Sequence, residues 1–108
     1  MLGSRRSTLG MAGRHAKTKT VTVNWKAQSG SGVSKVTVFI VIYHEGIAQS
    51  YRQFDYVYKA PYLKVQSGTS IWQNAPVASG DTIWVRLVVY GPKSSTPVSD
   101  TNDALVVP

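Results

Sequence analysis

TIWVRLVVYG, Thr82 to Gly91, is the stretch on which the fold turns. Ile83, Val85, Leu87 and Val89 alternate with Trp84, Arg86, Val88 and Tyr90. Successive side chains of an extended strand leave opposite faces, so the first set makes a wholly apolar face and the second a mixed one. A wholly apolar face predicts an inner strand laid against a core. The other row has the composition of a protein–protein hot spot, rich in Trp, Tyr and Arg. Trp84, Arg86, Val88 and Tyr90 are therefore candidate partner-binding residues. The competing reading is the second face of a sheet, packed by the chain's own loops.

Working outward, KVTVFIVIYHEG, Lys35 to Gly46, is the densest β-forming run in the chain. Val36, Val38, Ile40 and Ile42 share one face and Phe39, Val41 and Tyr43 the other, which predicts a central strand covered at least partly on both sides. TVTVNWKA, Thr20 to Ala27, alternates in the same way and ends at the turn QSGSG. SGTSIWQN, Ser67 to Asn74, reads as a short strand followed by the corner APVASGD, and ALVVP, Ala104 to Pro108, as a last short strand. Gln49 to Gln66 is less regular and rich in tyrosine, with Pro61 demoting part of it to an edge. Pro92 to Asp103 reads as a polar loop. No stretch carries a useful helical period. Short strands at even spacing with Gly/Pro/Ser turns predict an all-β, antiparallel sandwich or small barrel.

The chain has 108 residues, room for one domain and one core, and no cysteine. Absence of cysteine removes disulfides and thiolate metal sites, and favours an intracellular or virion setting over a small secreted scaffold. The run Val36 to Tyr43 is well short of the roughly 20 residues of a membrane-spanning helix, and the first residues lack a signal-peptide core. A net charge of +7 is unevenly placed: residues 1–19 carry Arg5, Arg6, Arg14, Lys17 and Lys19 without an acid, while residues 20–108 are close to neutral at +2. The boundary predicted near residue 19 separates a basic extended arm, residues 1–19, from a β-sandwich domain, residues 20–108. The five arm cations are candidates for gripping a neighbouring subunit's acidic patches or nucleic acid phosphates; the plainer alternative is a solvated tail.

Catalytic and metal motifs do not assemble. His44-Glu45 lacks the second histidine of the metalloprotease pattern, because position 48 is Ala48. A Ser-His-carboxylate set could draw only on His44 with Asp55, Asp81, Asp100 or Asp103, and abundant serines make such a coincidence uninformative. A single glutamate leaves little for a glycosidase pair. Asp100-Thr101-Asn102-Asp103 superficially opens like a calcium loop, but the turn glycine is replaced by Leu105. No glycine-rich phosphate loop occurs. The expectation is a non-enzymatic protein without cofactor or metal.

The order of features resembles a fibronectin type III or immunoglobulin-like sandwich. The resemblance rests on VTVNW with Trp25 in an early strand, the long strand ending in Tyr43, TSIW before a glycine corner, and above all SGDTIWVRLVVYGPKSSTPVS, Ser79 to Ser99. It extends loosely over residues 20–108. Ile83 stands where that family usually has its corner tyrosine, and the segment before Thr20 is polar where a first strand is expected. A small sandwich with a basic arm and no enzyme constellation looks like a virion component. The expectation is a structural protein of a phage-like particle, as capsid decoration or cement or as a tail component, partnered by protein subunits and located in the virion, with the cytoplasm as the alternative. Two alternatives remain. One is a carbohydrate- or surface-binding module stacking on the tyrosines of 51–62 with Trp72 or Trp84; the other is a nucleic-acid-binding protein driven by the arm.

Overall fold

The computed structural model describes residues 17–93 and 95–108. It is built of six strands: β1 (Lys17–Gln28), β2 (Lys35–His44), β3 (Ile47–Val57), β4 (Val65–Val77), β5 (Thr82–Tyr90) and β6 (Pro97–Val106). Among the described residues there is no helix, and so none long and apolar enough to cross a membrane. All pairings are antiparallel. One sheet is the pair β1-β4 and the other runs β3-β2-β5-β6. They enclose one core, an arrangement consistent with a β-sandwich.

The core follows from the period-2 pattern. On β2, Val36, Val38, Ile40 and Ile42 are 0% exposed, and they face Val21, Trp25 and Ala27 of β1 and Trp72, Ala75 and Val77 of β4 within one cluster. Trp72 and Ala75 are three residues apart, so a regular strand would send them to opposite faces. Both are buried because β4 bulges between them: Lys19 pairs with Ala75 while Val21 pairs with Trp72, and Asn74 takes a left-handed φ of 60°. Asparagine is among the few non-glycine residues that adopt this conformation readily. The bulge resets the alternation, and Val77 joins the core.

Turn chemistry sets the remaining geometry. Glu45 and Gly46 connect β2 to β3 with φ of 52° and 80°, both positive, and His44 pairs with Ile47. This is the two-residue primed turn whose twist matches that of the flanking strands. Between β4 and β5, the Asp81 carboxylate accepts the Ala78 N–H at 2.9 Å and lies 2.7 Å from His44 Nδ1, while the Asp81 carbonyl accepts the Val107 N–H at 2.8 Å. Asp81 is 0% exposed and ties this corner to the β2–β3 turn and to the chain's last residues.

Four sequence expectations change. β1 begins at Lys17 rather than Thr20, so Lys17 and Lys19 pair with Val77 and Ala75 as strand residues rather than as arm. β4 is longer than Ser67 to Asn74, because its bulge carries it through the expected corner. The irregular tyrosine-rich segment is in large part strand β3, and Pro61 falls in the loop after it. The expected loop from Pro92 to Asp103 becomes strand β6 from Pro97 onward, paired along the whole length of β5.

Candidate functional site

Registers on both sides of β2 and β5 align the outer face of the four-stranded sheet into rows. One row reads Tyr51, Val41, Trp84, Ala104; the next reads Gln53, Phe39, Arg86, Asn102; the third reads Asp55, Thr37, Val88, Asp100. The expected split of β5 into an inner and an outer face is what the register produces. Ile83, Val85 and Leu87 pack on the core while Trp84 and Arg86 lie outside it. Among the described residues no strand packs across this outer face.

Its polar members are already engaged with one another. Arg86 donates from Nε to Asp100 Oδ1 at 2.8 Å and from Nη2 to Asp100 Oδ2 at 2.6 Å, a two-point clamp across β5 and β6. The clamp holds the Asp100 carboxyl below its ordinary range and raises the guanidinium further. The same guanidinium lies 5.6 Å over the Phe39 ring, and the Lys35 ammonium lies 5.4 Å over the Tyr90 ring. Thr37 donates to Asp55 Oδ1 at 2.8 Å, and Gln53 also donates to that carboxylate. These bonds, Thr37 first, hold Asp55 below the usual carboxylate range.

The face thus divides. Toward the β2–β3 turn it is apolar and aromatic, with half-buried Trp84, Val41, Phe39 and Tyr43, Tyr51 at 68% exposed and Val106 at 62%. Toward the other end it is a satisfied polar lattice. Of the residues singled out from the sequence, Trp84 sits at the apolar end, Arg86 at the junction, and Tyr90 under Lys35 at the polar end. Val88 is 2% exposed, so it is the floor of the lattice rather than a contact residue. Phe39, Val41 and Tyr51 join the patch through register with β5, a relation that single-strand periodicity does not carry. Lys19 is exposed on β1, whereas Arg5, Arg6 and Arg14 lie outside the described residues.

The stacking-platform alternative loses several of its residues. Trp72 is 7% exposed and belongs to the core, where Tyr56 and Tyr58 also pack. Burial raises the Tyr58 phenol above its ordinary value, with Tyr56 adding to the shift. Tyr56 is anchored further: its hydroxyl lies 2.7 Å from Ser70 Oγ, which also accepts the Trp25 Nε1–H at 3.2 Å.

Among the described residues, the His44–Asp81 contact is the one place where a histidine meets a buried carboxylate. Its partners are backbone groups of the β4–β5 corner, so it locks a turn. Among the described residues no group of three His, Cys, Asp or Glu side chains could hold a metal ion. Compared with known proteins, the chain matches no family model, no curated protein and no solved structure.

Proposed function

We propose that this chain is a non-enzymatic structural subunit, with immunoglobulin- or fibronectin III-like topology, that binds neighbouring protein subunits through the outer face of its four-stranded sheet. The setting that suits it best is a phage-like particle, as a decoration or cement protein, with the basic residues of the N-terminal segment reaching a neighbour. The observation that carries the reading is the apolar end of the outer face. Trp84, Val41, Phe39 and Tyr51 stand together on rigid paired strands, beside an arginine already held in place by Asp100. Preorganised aromatic area of this kind loses little side-chain entropy on docking. The topology part of the reading is supported by the sheet order β3-β2-β5-β6 against β1-β4.

The test is the mass of the purified full chain in solution, alone and with particles of the host assembly. Trp84→Ala should weaken association by about 2 kcal/mol or more, roughly thirtyfold in affinity. Tyr51→Ala, at a 68% exposed position, should weaken it without lowering thermal stability. Association unchanged in both variants would show that this face is not the interface.

A further inference from the structure

The two sheets are unequal, and the inequality leaves a strand-shaped opening. β1 pairs only with β4, so its second edge has no partner strand among the described residues, while the opposite sheet extends two strands beyond β2, to β5 and then β6. The consequence appears in the burial. The inner side chains of β2 are 0% exposed, whereas Ile83, Val85 and Leu87 on β5 are only half-buried and every residue of β6 is exposed, Leu105 at 65%. A groove of about 380 Å³ lies there, floored by Ile83, Val85 and Leu87 and walled by Val21 to Lys26 of β1 and by β6. An added strand would sit about 4.8 Å from β1, with free backbone N–H and C=O groups to pair with and an apolar floor beneath alternate side chains.

The segment positioned to supply that strand is residues 1–16, which continue directly from β1 and would span about 50 Å if extended. Within it, Leu9 and Met11 are two apart and would share one face of a strand, with Gly10 and Ala12 between and beyond them. Folding back onto its own β1 cannot place both Leu9 and Met11 in the groove. The tightest reversals leave two or three loop residues before Lys17. They set Thr8 and Arg6, or Ser7 and Arg5, beside Val23 and Trp25, bring at most Leu9 to the end of the groove at Val21, and leave Met11 short of the floor. The segment of another molecule has no such constraint. It can lay Leu9 and Met11 over Val85 and Ile83 on the groove floor.

We propose that this groove accepts residues 7–13 of a second copy of the chain as an additional strand along the free edge of β1. The site lies on the opposite side of the four-stranded sheet from Trp84 and does not depend on that face. Two full-length variants test it. Leu9→Arg with Met11→Arg spoils the donor and leaves the groove intact, while Leu105→Arg obstructs the groove at an exposed rim position and leaves the donor intact. The wild type should run as two or more chains, with those amides of Thr22 to Lys26 that point away from β4 protected from hydrogen exchange. Each variant should run as a monomer with those amides exposed, and mixing the two should restore a complex of one copy of each. A monomeric wild type, a variant that keeps the wild-type mass, or a mixture that stays monomeric would overturn the proposal. Assembly lost on Leu105→Arg but kept on Trp84→Ala would sink the outer-face reading alone, and the reverse pattern would sink the groove.

Discussion

Trp25 shows how one residue joins the two sheets. Its ring lies 5.1 Å from that of Tyr56 across the core, and its Nε1–H reaches Ser70 Oγ, which Tyr56 shares. A large ring fits there because its cross-strand partner is Gly68: a Cβ at that position would meet Trp25 Cζ2 at 2.5 Å. Gly68→Ala should therefore displace the indole and its hydrogen bond, at about 1–3 kcal/mol, the usual range for overpacking a tight core. For a domain this size, each kcal/mol lowers the melting temperature by roughly 4–8 °C. Gly30→Ala is the matched control, since a Cβ there has nothing within 4 Å, and it should shift the melting temperature little. Equal melting temperatures for the two variants would mean that the indole does not depend on Gly68.

At the level of elements, β6 contrasts with β2. β2 and β5 are legible in the sequence because each carries a complete apolar face, and that pattern needs no neighbour to interpret. β6 runs PVSDTNDALV, with polar residues on both faces and a proline at its start, and its own residues signal a loop. It is a strand because β5 offers it a free edge and because it is itself an edge with little to cover, where charge is tolerated and guards against unwanted pairing. β3 was obscured in a similar way: Arg52 stands on its inner side with the guanidinium 5.3 Å over Phe54, which interrupts the apolar alternation. The outer face was half legible for the same reason. Trp84 and Arg86 follow from one strand's period, whereas Phe39, Val41 and Tyr51 depend on register.

The ties of these two edge strands to their neighbours also give acid sensitivity a definite sign. Asp55 joins β3 to Thr37 of β2, and Asp100 joins β6 to Arg86 of β5. Both carboxyls titrate below their ordinary value in the folded chain. A depressed folded value contributes stability that is complete above the unfolded value, about 3.9, and is lost as pH falls through the folded one. The urea midpoint should thus hold near pH 5 and fall below about pH 4, shallowly because both groups are exposed and solvent-screened. The Asp55→Asn, Asp100→Asn double variant should fall less over the same range. Parallel curves would place the acid response elsewhere.

Over the described residues the molecule is a closed flank joined to an open one. Where β1 and β4 overlie β2, apolar side chains are fully withdrawn from water; where the smaller sheet stops, the inner face of β5 remains partly wet. Equal truncations should therefore cost unequal amounts. Ile40→Ala, at 0% exposed, removes fully packed methyl groups and should cost about 2–5 kcal/mol. Ile83→Ala, at the floor of the groove, gives up contacts that are incomplete in the single chain and should cost clearly less when urea unfolding is measured in dilute solution. An added strand would cover Ile83 but leave Ile40 unchanged. Raising the protein concentration into the range where copies associate should then widen the cost of Ile83→Ala toward that of Ile40→Ala, since the truncated floor would weaken the associated form as well. A cost for Ile83→Ala that is already as large in dilute solution would mean that the flank is closed within one chain, and one that stays small at every concentration would mean that nothing docks there.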